Sequence, residues 1–339
     1  MRLGIDVGYG FVKGASSAGG RVVFPSVVAK LLDSRRLDLP WVEGQEPRYE
    51  VEIELEGGRP ARYAVGDAAY DREGAVRAWR LRGQAEHENT RALLFAAAAA
   101  LGAGSSDELG LGVPLEVYVG GGAAEWLRVF SGAKARVRLG SGPVREVGFS
   151  RVIVLPQAAG AYFHAALSLN GLGKELLRQN AGVVDVGYRT TDLLLMWRYP
   201  GMRVSQPDAS LSTTIDRGVS WVYERVWAAV QGRLGRPVDP LVVESGFLYG
   251  DGVLRYAGEV FDLEGEAAGY CEQFAREIAD QVRKRWGDRL ERLDVLLVSG
   301  GGGGWLYPYF SDLFPGARLA PDALYANALG YQAVFGAQT

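Results

Sequence analysis

The sequence predicts an α/β protein built from two copies of one domain, and three observations carry that prediction. Apolar runs of strand length alternate with helical periodicities along the chain, the pattern of α/β folds. The tetrapeptide Asp-Val-Gly-Tyr occurs twice, at residues 6–9 and 185–188, each time after one apolar run and before another. The wholly apolar run Val295–Val298 passes through Ser299 straight into five glycines, which suits a buried strand followed by backbone lying close to a flat ligand.

Arg2–Ile5 reads as a short strand, Asp6–Gly10 as a glycine turn and Phe11–Ser16 as the returning strand of a tight hairpin. Polar, proline-containing sequence runs from Asp33 to Pro47. Tyr49–Leu55 alternates, with Val51, Ile53 and Leu55 on one side and Glu50, Glu52 and Glu54 on the other. That is a half-exposed strand, so its glutamates predict a solvated edge rather than an acidic active site. Arg59–Val65 is its partner across Gly57–Gly58, which makes residues 30–75 or so a small β-rich insertion. Asn89–Leu101 predicts a buried helix; its mostly alanine run is about half the length a membrane span needs. Leu115–Val119 and Val152–Leu155 predict central strands, and Gln157–Leu169 a helix. Gly182–Trp197 repeats the opening hairpin pattern. Ile215–Gln231 and Glu264–Arg285 predict helices, the second with a charged outer face.

A chain of 339 residues with 48% hydrophobic and 23% charged residues has ordinary globular composition and room for more than one core. The net charge of −3 offers no electrostatic footprint for direct nucleic-acid or anionic-membrane binding. Cys271 is the single cysteine, which forbids an intramolecular disulfide and a cysteine-built metal site. The opening residues lack the basic segment of a secretory signal, so a cytoplasmic location is expected. Neither His87 nor His164 has a partner at metal-ligand spacing. His164 and Cys271 read as helix-packing residues, and the tryptophans, including Trp221 and Trp227, as core or interface.

Glycine is the one outlier, 47 residues or about twice the usual share, and three clusters matter. In the two Asp-Val-Gly-Tyr hairpins, glycine lets the backbone approach a phosphate, consecutive amides form an anion nest, and the aspartate beside it can hold a magnesium water shell. Two ordinary glycine hairpins with coincident letters would look the same. The Ser299–Gly304 run suits adenine or ribose, whereas Gly120–Gly122 reads as a loop. No Walker P-loop and no complete G-x-G-x-x-G pattern occurs, which disfavours the commoner nucleotide folds.

Taken in order, these motifs resemble the actin, heat-shock-chaperone and sugar-kinase superfamily of ATPases. Leu3–Lys13 is similar to its first phosphate motif, Leu155–Ala161 to its first connecting segment, and Val184–Asp192 to its second phosphate motif. Leu297–Gly302 is similar to the adenosine motif and Ala326–Gly330 to the second connecting helix. Within the superfamily the sequence is closest to the ParM- and StbA-like bacterial and archaeal actin homologues, through Tyr63–Ala69, Leu111–Leu115, the Thr-Thr-Asp ending at Asp192, and the Ser212–Gly218 loop.

The resemblance implies a two-lobed actin-like, ribonuclease-H-like fold with a nucleotide cleft between duplicated domains. The first would span residues 1–165, with the β-rich insertion as a subdomain and a C-terminal helix from about 325 packing back on it. The second would span 166–324, with 208–285 or so as a small helical subdomain. By matched position, Asp6 and Asp185 hold Mg²⁺ mainly through water, Lys13 sits on the phosphates, and Gln157 orients the attacking water, so slow hydrolysis is expected. Gly8, Tyr9, Gly10, Gly187, Tyr188, Thr190, Asp216, Gly218, Gly300, Gly301, Gly302 and Asn327 contact the nucleotide, ATP or GTP. Arg189 stands where many relatives have glycine, so either its side chain approaches the phosphates or the loop sits back. Asp192 is either a hydrogen-bond acceptor behind the site or an orienter of Thr190.

The function implied is a filament that assembles head to tail on nucleotide binding, for plasmid or DNA segregation through an adaptor protein or for a related prokaryotic cytoskeletal role. A small-molecule kinase of the same superfamily is the alternative, although no carboxylate signature for a substrate hydroxyl stands out. A chaperone-like ATPase would need a separate peptide-binding domain.

Overall fold

The computed structural model describes residues 1–31, 49–70, 72–77, 85–249 and 251–337. The polar stretch from Asp33 to Pro47 lies outside them. The chain divides into two compact units, Met1–Glu175 with Leu324–Thr339, and Leu176–Ala323.

In the first unit, β1 (Arg2–Val7) and β2 (Phe11–Ser16) form an antiparallel hairpin in register from Leu3 opposite Ser16 to Val7 opposite Val12. They are followed by β3 (Arg21–Pro25), β4 (Val27–Lys30), β5 (Tyr49–Leu55), β6 (Ala61–Val65), α1 (Asp67–Tyr70), β7 (Val76–Arg77) and α2 (Glu88–Ala100). Then come β8 (Asp107–Val113), α3 (Leu115–Val119), α4 (Ala123–Phe130), β9 (Lys134–Leu139), β10 (Arg145–Pro156) and α5 (Ala159–Leu167). Among the described residues these strands make one sheet in the order β3-β2-β1-β8-β10-β9-β5-β6-β4-β7. Strands β1, β8 and β10 run parallel, so their C-terminal ends lie together. That shared end is where ligands bind in open α/β sheets.

Glycines set how closely this sheet is covered. A Cβ at Gly4 would lie 1.8 Å from the Ala328 carbonyl oxygen, and one at Gly112 would lie 1.9 Å from the Tyr331 hydroxyl, so the C-terminal helix Ala326–Ala337 rests on bare backbone of β1 and β8. The same helix crosses α5 at a second bare point, where a Cβ at Gly330 would lie 1.8 Å from the Gly160 oxygen. Helix α2 is buried from Ala92 to Ala99, because small side chains let it lie flat on the sheet while Leu93, Leu94 and Phe95 fill the core.

The second unit opens with the hairpin β11 (Ala181–Val186) and β12 (Thr191–Trp197), followed by β13 (Gln206–Pro207), β14 (Thr213–Ile215), α6 (Ser220–Leu234) and α7 (Pro240–Tyr249). A separate hairpin, β15 (Val253–Tyr256) and β16 (Glu259–Asp262), leads into α8 (Leu263–Trp286), then β17 (Val295–Ser299), α9 (Gly303–Leu313) and β18 (Ala317–Leu319). The sheet order is β13-β12-β11-β17-β18, with β14 also on β12, and β11, β17 and β18 run parallel. Helix α8 is capped by Asp262, which accepts from the Gly265 amide at 2.9 Å, and its acidic first turn and basic last turn complement the helix dipole. Its buried stripe includes Ala267, Cys271, Phe274, Ile278 and Val282. Burial pushes the Cys271 thiol up to about 11, so this cysteine packs rather than reacts.

Three expectations from sequence are corrected here. Leu115–Val119 is a short helix; the strand is the preceding Asp107–Val113. Gly110 and Gly112 lie bare within that strand because Tyr331 packs on them. The helix expected from Ile215 starts at Ser220, since Thr213–Ile215 pairs with β12. Tyr49–Leu55 is not an edge: β5 lies between β9 and β6, and Glu50, Glu52 and Glu54 pair with Arg72, Arg138 and Arg136.

Candidate functional site

Each unit carries one Asp-Val-Gly-Tyr turn, and each turn is closed by the same backbone bond. The Gly8 amide donates to the Phe11 oxygen at 3.1 Å, and the Gly187 amide donates to the Thr190 oxygen at 2.9 Å. These two amides close their turns. A Cβ at Gly187 would lie 2.9 Å from the Thr190 oxygen and one at Gly8 would lie 3.0 Å from the Phe11 oxygen, which accounts for glycine at both positions.

In the first unit the β1–β2 register sets Asp6 opposite Lys13, and the Lys13 ammonium lies 3.2 Å from Asp6 Oδ2. Asp6 is 3% exposed, so its charge is held inside the fold by this partner. Gln157 follows directly on β10 at the shared C-terminal end of the parallel strands. Its Nε2 donates to Asp6 Oδ1 at 2.9 Å, and its amide donates to the Val113 oxygen at 2.8 Å. Asp6, Lys13 and Gln157 therefore form one cluster, with a cation on one carboxylate oxygen and a carboxamide on the other. Gln157 precedes α5 rather than belonging to it. Ala158, which is fully buried, separates them with a φ of 70°, an unfavourable conformation for a residue with a Cβ.

Tyr9 and Gly10 form the tip of the first turn. Ser26, which is fully buried, braces it: its hydroxyl donates to the Gly8 oxygen at 2.6 Å and its amide donates to the Gly10 oxygen at 2.8 Å. Sequence reading missed Ser26. It lies in no motif, and only the β2–β3 pairing that sets Phe11 opposite Pro25 brings it back to the turn. Asn327 sits on the C-terminal helix, where its Oδ1 accepts from the Ala161 amide at 3.1 Å and ties that helix to the start of α5.

In the second unit the turn is braced by a helix. The amides of Val219 and Ser220, at the start of α6, donate to the Gly187 and Tyr188 oxygens at 3.1 and 2.7 Å. Gly218 makes this approach feasible, since a Cβ there would lie 2.5 Å from both carbonyl oxygens. Tyr188 stacks on Tyr223 at 5.8 Å, and Tyr223 packs in turn on Phe247 and Trp305. Thr191 donates its hydroxyl to the Arg217 oxygen at 2.8 Å, and Asp192 accepts from the Thr214 hydroxyl at 2.6 Å. Asp192 thus binds the β14 strand, whatever further contacts it makes.

The glycines after β17 pack directly on this turn. Gly300 has a φ of 88°, and a Cβ there would lie 2.4 Å from the Val186 oxygen and 2.6 Å from Asp185 Oδ1. Gly302 donates its amide to the Val186 oxygen at 2.9 Å, leaving Gly301 exposed between them. Asp185 is 7% exposed and lies opposite Ser299 in the parallel register. Thr190 is buried at the end of the turn, whereas Arg189 is exposed and its Nε donates to Asp216 Oδ1 at 3.4 Å.

The predicted residues thus fall into two groups. Asp6, Gly8, Tyr9, Gly10, Lys13 and Gln157 gather in the first unit, with Asn327 on the C-terminal helix bonded to the start of α5. Asp185, Gly187, Tyr188, Arg189, Thr190, Asp216, Gly218 and Gly300–Gly302 gather in the second. Each group by itself has donors suited to magnesium and phosphate: a buried carboxylate offers hard oxygen, Lys13 in the first and Arg189 in the second offers positive charge, and bare glycine backbone offers close approach. Among the described residues no group of three or more His, Cys, Asp or Glu could hold a metal, and no helix is long and apolar enough to cross a membrane.

Comparison with known proteins matches both halves. Residues 4–160 match the family described as actin-like proteins, N-terminal domain, and residues 183–312 match the C-terminal domain of the archaeal MreB-like actin homologues. An archaeal actin homologue from Thermoplasma volcanium is 27% identical over 352 aligned positions, covering 97% of each chain. Among solved structures, a 15-stranded ParM filament from Clostridium botulinum is similar with a TM-score of 0.82 at 25% identity, over 99% of each chain. An archaeal actin homologue in complex with ADP is similar with a TM-score of 0.79 at 22% identity, over 99% of this chain and 100% of that one.

Proposed function

Since this chain belongs to the actin-like superfamily, we propose that it is a nucleotide-dependent filament protein, which binds ATP or GTP with Mg²⁺ and hydrolyses it slowly to time assembly and disassembly. The observation that carries the reading is the pair of equivalent turns, each with a buried aspartate and each closed by the same backbone bond. A ParM relative solved as a filament and an archaeal actin homologue solved with ADP support the two halves of the proposal. The filament would be one of head-to-tail subunits, serving DNA segregation through an adaptor protein or a related cytoskeletal role in the cytoplasm.

Magnesium, when bound, neutralises charge on the phosphates. Asp6 and Asp185 would hold its water shell. Lys13, already placed beside Asp6, supplies a point charge to the phosphate chain. Gln157 donates to Asp6 through Nε2, which leaves its Oε1 to orient a water for in-line attack. A carboxamide takes no proton, so hydrolysis on this constellation is slow. Asn327 serves by fixing the start of α5 behind Gln157. Gly300–Gly302, packed on the second turn, would offer bare backbone to the nucleoside.

Light scattering with pelleting tests the proposal, on the full chain given Mg-ATP, Mg-GTP, Mg-ADP or no nucleotide, with Asp185→Ala as control. Pelleting is expected with a triphosphate and is expected to be lost in the variant. Binding and hydrolysis without assembly at any salt or protein concentration would overturn the filament reading and call for a substrate screen.

A further inference from the structure

Helix α2 ends before the sheet beneath it does. Its last residue is Ala100, and the Leu101, Gly102 and Ala103 amides turn back onto the Ala97, Ala99 and Ala98 oxygens, so the end of the helix is largely closed to further donors. The β9–β10 hairpin continues past it. Val137 lies opposite Arg145 in the antiparallel register, and Leu139 is two residues further along β9. Residues directly opposite one another, and residues two apart in one strand, share a face of the sheet. Val137 is 1% exposed and β9 packs on α2, so Arg145 stands on the core face of the sheet, at the point where α2 no longer covers it.

A cavity of about 420 Å³ fills this gap. Ala99, Ala100, Leu101, Val137, Leu139 and Arg145 line it, and the guanidinium is the one charged group among the described residues that do so. On the opposite face of β9 the arginines have acidic partners, Arg136 on Glu54 and Arg138 on Glu52. Arg145 has no such partner: among the described residues it makes no hydrogen bond or ion pair. Arg145 opens β10 whereas Gln157 follows its last residue, so the cavity lies at the other end of that strand from the Asp6 cluster and takes no part in the nucleotide reading.

The chemistry of the lining selects the ligand. The size is that of a small-molecule site rather than a large cofactor's, and an apolar lining favours hydrocarbon. A lone guanidinium balances a single negative charge and matches a carboxylate with two parallel hydrogen bonds, while it repels an amine. We propose that this cavity is a binding site for a small amphipathic monocarboxylic acid, whose carboxylate pairs with Arg145 and whose hydrocarbon chain lies against Leu101, Val137 and Leu139.

The test is a methyl NMR titration of the full chain, without nucleotide, using hexanoate, octanoate, octanol and octylamine on the unaltered protein, Arg145→Gln and Ala100→Leu. Octanoate is expected to give saturable shifts at the methyls of Leu101, Val137 and Leu139. Hexanoate should bind more weakly by up to about tenfold, since two fewer methylenes are buried. Arg145→Gln is expected to weaken octanoate by about tenfold or more, the loss of a charged hydrogen bond, and to bring it to the level of octanol. Ala100→Leu should block octanoate by filling the cavity. Arg145 is exposed and Ala100 half-buried at the end of its helix, and matching thermal melts verify folding. The proposal is overturned if these methyls show no saturable shift, if octanol or octylamine binds as tightly as octanoate, or if octanoate affinity is unchanged in either variant.

Discussion

The first turn is braced by a single residue, through its hydroxyl and its amide, and the second by a helix. Ser26 reaches from the break between β3 and β4 to hold the carbonyls of residues 8 and 10, whereas α6 presents two backbone amides to residues 187 and 188. Their charges are placed in opposite ways. Lys13 is set in the strand, with side chains 12% and 4% exposed across its pair with Asp6, while Arg189 sits at the tip in water. Two copies of one four-residue motif thus have different supports, one that draws on a side chain and one built wholly from backbone. The turn is the same in both units, and each holds it by different means.

A brace made of backbone is broken by adding an atom. Gly218→Ala would drive a Cβ onto the Gly187 and Tyr188 oxygens, which cannot move without opening the second turn. It is expected to destabilise the protein by about 3 kcal/mol, measured by urea unfolding. A stability unchanged within about 0.5 kcal/mol would show that α6 is not the support. A brace made of a side chain is broken by removing one. Ser26→Ala deletes the donor to the buried Gly8 oxygen and is expected to cost about 1–2 kcal/mol, with nucleotide affinity falling as the first turn loosens. Unfolding curves and nucleotide titrations that both match the unaltered protein would remove Ser26 from the site.

The same contrast explains what could be read from sequence. The hairpins, the buried strand before the glycines and the Asp6, Lys13 and Gln157 set are legible because they are local or carried by a contiguous motif. Ser26 and Thr214 are not, because each acts across a strand pairing that no local pattern announces. Gly110 and Gly112 belong with them, because what requires glycine there is the packing of Tyr331, which is far away in sequence. Arg189 was visible as a departure from the glycine of many relatives, but its pairing with Asp216 emerged only once β14 and the Gly218 approach had placed that residue.

Gln157 is aimed by strain as well as by hydrogen bonds, and this separates stability from function in the first unit. Ala158 holds a φ of 70° between the end of β10 and the start of α5. Glycine adopts that conformation without penalty, so Ala158→Gly is expected to change stability by no more than about 1 kcal/mol and in the stabilising direction. It also frees the backbone that fixes Gln157 over Asp6, so hydrolysis should slow while nucleotide affinity holds. A variant that is neither more stable nor slower would show that the conformation at 158 is incidental.

The smallest effect is the most direct comparison of the two charges. A double-mutant cycle on Arg189 and Asp216 should give a coupling of about 0.2–1 kcal/mol at low ionic strength that fades as salt rises, because both groups lie in water and are screened. The same cycle on Lys13 and Asp6 should give more than about 1 kcal/mol and keep most of it in salt, because removing either partner leaves a mostly buried charge behind. The two couplings measure how each turn holds its cation without nucleotide. If Arg189 and Asp216 proved as strongly coupled and as salt-resistant as Lys13 and Asp6, the second turn would hold its cation as firmly as the first.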